Sequence, residues 1–412
     1  MEFVNAELEN GLQVVAECNR HARSAALGFF VNTGARDETD EESGVSHFLE
    51  HMTFKGTPRR SADDVNRELD EMGAEGNAFT TEEVTVYHLA LLPEFLDRGL
   101  DLLSDILRPS LRAADFEMEK QVVLEEIHMN EDLPPFGADD KCRALYFAGH
   151  PLGRSVLGTL QSVGQLTPEA MRAYHQRRYV PGNMVLAATG RVDFDALVAS
   201  ARRYCGHWQP AAVERPILPP TPRSGFHVLT KEGATQQYAI QLTAGPSVAD
   251  PRRYAARLLT MVLGDDSGSR LFWELLDPGL ADHAGMYYAE YDGAGMFATS
   301  MSCDPEAVEK NLQAILDVFR DVEEFGVTEP ELAQAKNKAA SQLVLGSERP
   351  AGRLFRVGGE WLQRREHRSL REDLDLIAAL GPDNLMSVLE RFPLSQSTTI
   401  VVGPLDKVER PG

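Results

Sequence analysis

The sequence predicts an α+β fold of the α/β sandwich type, built twice. Three observations carry this. Apolar alternation of period two is interspersed with helical periodicity along the chain. A proline-rich stretch, Gln209 to Gly225, divides the 412 residues almost in half. Short patterns recur in the same order on either side of that divide. Strands and helices mixed in this way bury the sheet under the helices. Each half is therefore expected to be a homologous domain, a mainly antiparallel sheet with helices packed on one side.

The elements of the first domain, 1–208, follow in order. Val14-Val15-Ala16 and Ala25 to Val31 read as strands, and Val84 to Leu91 alternates as a half-buried strand does. Ser61-Ala62-Asp63-Asp64 is a capping-box start for a helix that Gly73 ends. Pro93 suits the first turn of a helix reaching about Leu107, and another helix is expected from Ala113 to Asp132. Residues 209–225 carry five prolines, which remove donors and fix φ, so they read as an extended linker. Residues 226–412 then repeat the design. Pro93-Glu94 returns as Pro305-Glu306, Thr167-Pro168-Glu169 is echoed by Gly381-Pro382-Asp383, and Val185 to Gly190 by Thr398 to Gly403, at offsets of 212 to 214.

The charge balance narrows the function. With 41 Lys+Arg against 63 Asp+Glu the formal charge is −22, which argues against nucleic-acid binding, since that needs a basic face. The acidity fits either solubility alone or attraction of cationic peptides. No apolar stretch is long enough for a membrane span, and no basic region followed by an apolar block marks a secretory signal. The four cysteines lie far apart without a C-x-x-C, so a reducing cytoplasm is the expected compartment.

His47-Phe48-Leu49-Glu50-His51 carries the chemistry. The acidic loop Asp37 to Gly44 precedes it and Lys55-Gly56-Thr57-Pro58 stops it, which brackets one short helix. Four residues apart, His47 and His51 share a face and can reach one cation. Glu50 points near the same spot, and a free carboxylate there can take a proton from a water polarised by the metal. This pattern arises by chance about 0.02 times in a chain of this composition. A third ligand is needed, and the helix from Phe116 to Ile127 offers it. Phe116, Val123 and Ile127 cluster on one face, Glu119 and Glu126 lie on its edge, and Glu125 points toward solvent. Glu126 is the better ligand candidate, with Glu119 as its acidic neighbour.

H-x-x-E-H is an inverted zinc signature, and the chain resembles the pitrilysin/insulinase (M16) family of metallopeptidases, in size the members related to the mitochondrial processing peptidase. The resemblance covers Asn10-Gly11-Leu12, the HFLEH helix, the helix with Glu119 and Glu126, the linker and the second half. It implies a zinc-dependent endopeptidase with one Zn2+ per chain, held by His47, His51 and Glu126, the last 126 − 51 = 75 residues on. It further implies Glu50 as general base, Glu119 as support behind the ligands, and Glu75 to Thr80 as an edge strand whose Asn77, Ala78, Phe79 and Thr80 bind substrate. Peptides or unstructured segments cleaved in a clamshell chamber, by a homodimer or a heterodimer with a related subunit, complete the expectation.

The second half departs from this pattern. No zinc ligand stands in Thr260 to Gly264, the counterpart of HFLEH. Family members usually carry an arginine and a tyrosine here to grip substrate, whereas Leu276 and Asp282 take those places and Tyr287 and Tyr288 fall out of register. A catalytic subunit silent until a partner supplies that pair, or a non-catalytic scaffold subunit, are the alternatives. His88, His128 and His150 read as structural or solvated, and Arg364 to Arg368 as a solvated helix face.

Overall fold

The computed structural model describes all residues, 1–412. Along the chain the elements are β1 (Glu2–Glu7), β2 (Gln13–Cys18), β3 (Ala25–Val31), α1 (Val45–Thr53), α2 (Ala62–Met72), β4 (Glu75–Thr80), β5 (Thr85–Leu91), α3 (Leu96–Ile106), α4 (Ala113–Asp132), α5 (Ala138–Phe147), α6 (Leu160–Gln165), α7 (Pro168–Arg178), β6 (Met184–Gly190) and α8 (Phe194–Cys205). After the proline-rich segment come β7 (Gly225–Thr230), β8 (Gln237–Ala244), α9 (Arg253–Gly264), β9 (His283–Tyr291), β10 (Ala294–Cys303), α10 (Val308–Phe325), α11 (Glu329–Ser347), α12 (Pro350–Arg364), α13 (Leu370–Ala379), α14 (Pro382–Arg391) and β11 (Thr398–Gly403).

Local chemistry explains the helix ends that the sequence marks. Ser61 caps α2 by accepting from the Asp64 N–H, Asp64 returns the bond, and Gly73 closes the helix in the left-handed region. Pro93 and Pro305 each open a 3-10 turn that runs into α3 and α10. Thr167 accepts from the Ala170 N–H to start α7, with Pro168 in its first turn.

Two sheets result. The first has the order β1-β2-β6-β3-β5-β4 and the second β7-β11-β8-β10-β9. Each is antiparallel apart from one parallel pair, β2 with β6 and β7 with β11. Strand for strand, β7, β11, β8, β10 and β9 occupy the places of β2, β6, β3, β5 and β4, so the recurring patterns correspond to one topology used twice.

The compact units are not the two sequence halves. One comprises 1–128, 154–216 and 344–369, and the other 129–153, 217–343 and 370–412. The first unit buries one sheet face under the helices on a core containing Leu27, Phe29, Phe48, Tyr87, Leu100 and Phe116. Its other face, with Val15, Ala26, Phe30, Val86, Val185 and Ala187, is covered by Leu354 and Val357 of α12. In the second unit α5 covers the equivalent face of its sheet, packing Cys142, Tyr146 and Phe147 on Ile240, Leu242 and Val402. The layers thus match the predicted class, with one further helix on the second face of each sheet. Since α12 begins 350 − 138 = 212 residues after α5, this exchange repeats with the same offset as the strands.

The run Arg364 to Arg368 is not a solvated helix face. Arg365 ends α12 in the left-handed region, and the chain then turns back so that His367 stacks on Phe3, 4.0 Å between ring centres, and meets Glu17 at 3.0 Å. All four cysteines are free, and no helix is long and apolar enough to cross a membrane.

Candidate metal centre

Helix α1 lies within the first unit, and its start is set by a glycine and a distant carboxylate. Gly44, the N-cap, has φ of +91°, and a Cβ there would stand 2.7 Å from the Leu157 carbonyl oxygen. The acidic loop acts differently from a first-turn charge, since α1 has no acid in its first turn. Instead the Glu38 carboxylate reaches the helix end and accepts from the Gly44 and Ser46 N–H groups, both at 2.8 Å. Glu38 is buried, which pushes its carboxyl up to about 8 against the pull of those two bonds.

His47 and His51 emerge one turn apart with ring centres 4.6 Å from each other. From α4, Glu126 brings Oε2 to 3.7 Å from Nε2 of His47 and 3.6 Å from Nε2 of His51. One ligand atom from each of the three residues lies within 4.8 Å of the others. Glu125 is exposed, as the helical phase of α4 predicts. Glu119, buried one heptad before Glu126, approaches Nδ1 of His51 at 3.0 Å, and its other oxygen meets Lys55 Nζ at 2.6 Å. Nδ1 of His47 is buried without a partner. Burial and the neighbouring His51 charge lower the His47 pKa to about 4, so its ring is neutral at pH 7.

Two imidazoles and one carboxylate converging through Nε2, Nε2 and Oε2 form a donor set suited to a divalent cation of the zinc type, and Glu119 orients His51 by holding its far nitrogen. Glu50, on the same helix, does not join the cluster. Its Oε2 accepts from the Thr80 hydroxyl at 2.6 Å, and burial raises its carboxyl above the ordinary range despite that bond.

Strand β4 pairs only with β5 and forms the sheet edge. Of its expected residues, Thr80 alone reaches the Glu50 carboxylate. Ala78 is buried in the helix-side core, while Asn77 and Phe79 stand on the opposite face. The Asn77 side chain is occupied locally, its Oδ1 accepting from the Ala78 N–H at 2.9 Å. In the second unit α9, the counterpart of α1, carries no His, Asp or Glu. Asp282 accepts from Gln236, Tyr288 donates to the Pro246 carbonyl, and Tyr287 is exposed on β9.

Sequence reasoning missed Glu38, Lys55 and the Thr80–Glu50 bond. Lys55 carried a signal, being His51 + 4 and so four residues beyond a candidate ligand. Glu38 carried none, because a carboxylate eight residues from the N–H it caps has no periodic mark.

Comparison with known proteins agrees. A model of the insulinase family (peptidase family M16) matches residues 13–160, and one of the peptidase M16 inactive domain matches residues 165–339. An uncharacterized zinc protease of Mycobacterium tuberculosis is 35% identical over 412 residues, covering 96% of this chain and 92% of its own. The crystal structure of a protease from Helicobacter pylori superposes with a TM-score of 0.89 at 21% identity, over 97% of this chain and 99% of that one. A peptidase M16 inactive domain from Pseudomonas fluorescens gives 0.92 at 18% identity over the full length of both. At such identities the two structures speak for the fold, and the sequence matches speak for descent. With 35% identity sustained across nearly the whole of both chains, this protein belongs to the insulinase (M16) family of peptidases.

Proposed function

We propose that the chain is a zinc-dependent endopeptidase acting on peptides or unstructured polypeptide segments, with one Zn2+ per chain. The observation that supports it most directly is the convergence of His47, His51 and Glu126 within 4.8 Å, beside the half-buried Glu50 carboxylate on the same helix. His47, His51 and Glu126 would hold a divalent cation, which when bound would supply Lewis acidity to a scissile carbonyl and a water. Glu50 takes the proton from that water as it attacks and passes it to the leaving amine; its raised proton affinity favours the first transfer, and the greater basicity of the amine drives the second. Thr80 holds the carboxylate oriented, and Glu119 holds His51. An extended peptide adding to the open edge of β4, along Asn77 to Thr80, lies beside Glu50 and is held mainly by backbone bonds. The Ala78 N–H is available to it once Asn77 releases that donor.

A second reading is favoured by Leu276 and Asp282, which leave the second unit without the expected Arg/Tyr grip. In it, two chains, identical or different, enclose the substrate in a chamber, and the partner supplies the missing pair. The excess of acidic residues favours cationic peptides as substrates.

Cleavage of a mixed library of neutral and basic peptides tests both readings, with size-exclusion chromatography run alongside. Glu50→Gln is expected to lower the rate by about 10²–10⁴ while retaining the metal. Removing zinc abolishes cleavage and returning it restores activity. A chain that binds zinc yet cleaves only when a related subunit is added supports the second reading, and one that neither binds zinc nor cleaves is a scaffold.

A further inference from the structure

The face of β4 turned away from Glu50 carries an aromatic cluster that the chemistry above does not use. Phe79 and Phe355 are each 37% exposed, large apolar side chains left open on a sheet edge. Their ring centres are 5.8 Å apart, and His88 lies 4.8 Å from Phe355 and 6.4 Å from Phe79. His88 sits opposite Asn77 in the β4–β5 register, so all these side chains share one face. Phe355 comes from α12, the helix that the second half of the chain contributes to this unit, and its other neighbour is the buried Phe30 at 6.4 Å.

Strand geometry connects this cluster to a substrate. Side chains alternate between faces, so a peptide extending the sheet beyond β4 turns every second side chain toward Glu50 and the others toward Phe79 and Phe355. Phe79 immediately precedes Thr80, whose hydroxyl holds the Glu50 carboxylate, so the aromatic face begins one residue from the reacting centre. The ring contacts of the cluster are with Phe30 and among its own members.

We propose that Phe355, with Phe79 and His88, forms a shelf that selects large apolar side chains at alternate positions of a peptide lying along β4. The proposal rests on the reading that peptides bind at that edge, and it makes α12 a determinant of specificity.

The test uses full-length, zinc-loaded Glu50→Gln protein and unstructured, fluorescently labelled dodecapeptides in which single positions are alanine, leucine or lysine. Binding is read by anisotropy, and cleavage profiles of the corresponding proteins with Glu50 intact are read by mass spectrometry. Leucine is expected to tighten binding about tenfold at positions two apart and to do little between them. Adding Phe355→Ala removes that preference. Adding Phe355→Glu instead moves the preference from leucine to lysine at the same positions, a gain that misfolding cannot imitate. An apolar preference that survives both variants, or one without the period of two, overturns the shelf and leaves the peptidase reading standing. Absence of cleavage together with loss of the preference in Phe355→Ala supports the shelf and removes the peptidase. Absence of both cleavage and peptide binding overturns both.

Discussion

Behind His51 stands a short relay: Nδ1 meets Glu119 at 3.0 Å, and Glu119 meets Lys55 at 2.6 Å. Glu119 is buried whereas Lys55 is 37% exposed, so the carboxylate is the fixed member and the lysine a solvated counter-charge. Removing the carboxylate's charge weakens the hydrogen bond that holds the imidazole and lowers its basicity. Glu119→Gln is therefore expected to reduce zinc affinity by about 10–100-fold, measured by competition with a chelator, with the chain still folded by circular dichroism. Lys55→Met leaves the hydrogen bond to His51 intact and lowers affinity less. Equal losses for the two variants would show that the charge of the whole relay matters more than the orientation of His51. The candidate ligands were legible because helical spacing is a local rule: His47 and His51 are one turn apart, and the phase of α4 separates Glu126 from the exposed Glu125. The Glu38 cap, the Thr80–Glu50 bond and the Phe355 cluster were not legible, because each is a contact formed only when distant segments meet.

At the scale of elements, α12 shows where reading the chain in order fails. Its helical pattern is plain, yet nothing local says that it covers a sheet built from residues more than 150 positions earlier. Its seat is specific. The Thr189 hydroxyl donates to the Pro350 carbonyl at 2.7 Å, and a Cβ on Gly358 would stand within 2.5 Å of the Phe30 ring. The buried pair Glu17–Arg353, joined by His367, anchors the helix to β2. Burial raises the Glu17 carboxyl, but hydrogen bonds from His367 and Arg353 and their charges outweigh it and hold the pKa at about 2, below the ordinary 4.5. A carboxylate depressed on folding adds stability above its unfolded pKa and loses it as pH falls through the folded one. The contribution of Glu17 is thus full above about 4.5 and lost by about 2. Glu17→Gln leaves Arg353 as a buried charge without its partner and is expected to cost about 3–5 kcal/mol at pH 7. Denaturant unfolding from pH 6 to 2 reads both effects, and the gap between wild type and variant should close toward the acid end. A constant gap would mean that the cost lies in packing rather than in the ion pair.

For the whole molecule, the reciprocal placement of α5 and α12 decides what can fold alone. A cut within the linker, at 208 and 226, is the division the sequence suggests. It strips α12 from the first sheet and leaves Phe30, Val86 and Val185 uncovered. It also strips α5 from the second, exposing Ile240, Leu242, Met296 and Val402. Apolar faces of this kind on separate chains drive association rather than monomeric folding. Fragments 1–208 and 226–412 expressed separately are therefore expected to bind an apolar dye strongly and to elute as aggregates. Co-expression should give a soluble one-to-one complex with the dye response of the intact chain, because each fragment then holds the helix the other needs. Appending residues 344–369 through a flexible linker to the first fragment should restore much of its solubility, since that segment belongs to its unit. Two monomeric, dye-silent fragments would show that each sheet tolerates an open face and that the exchanged helices contribute little to folding. The repeat offset of 212 makes the outcome symmetric: whatever α12 does for the first unit, α5 should do for the second, and a large difference between the two fragments would mean that duplication kept the topology but not the energetics.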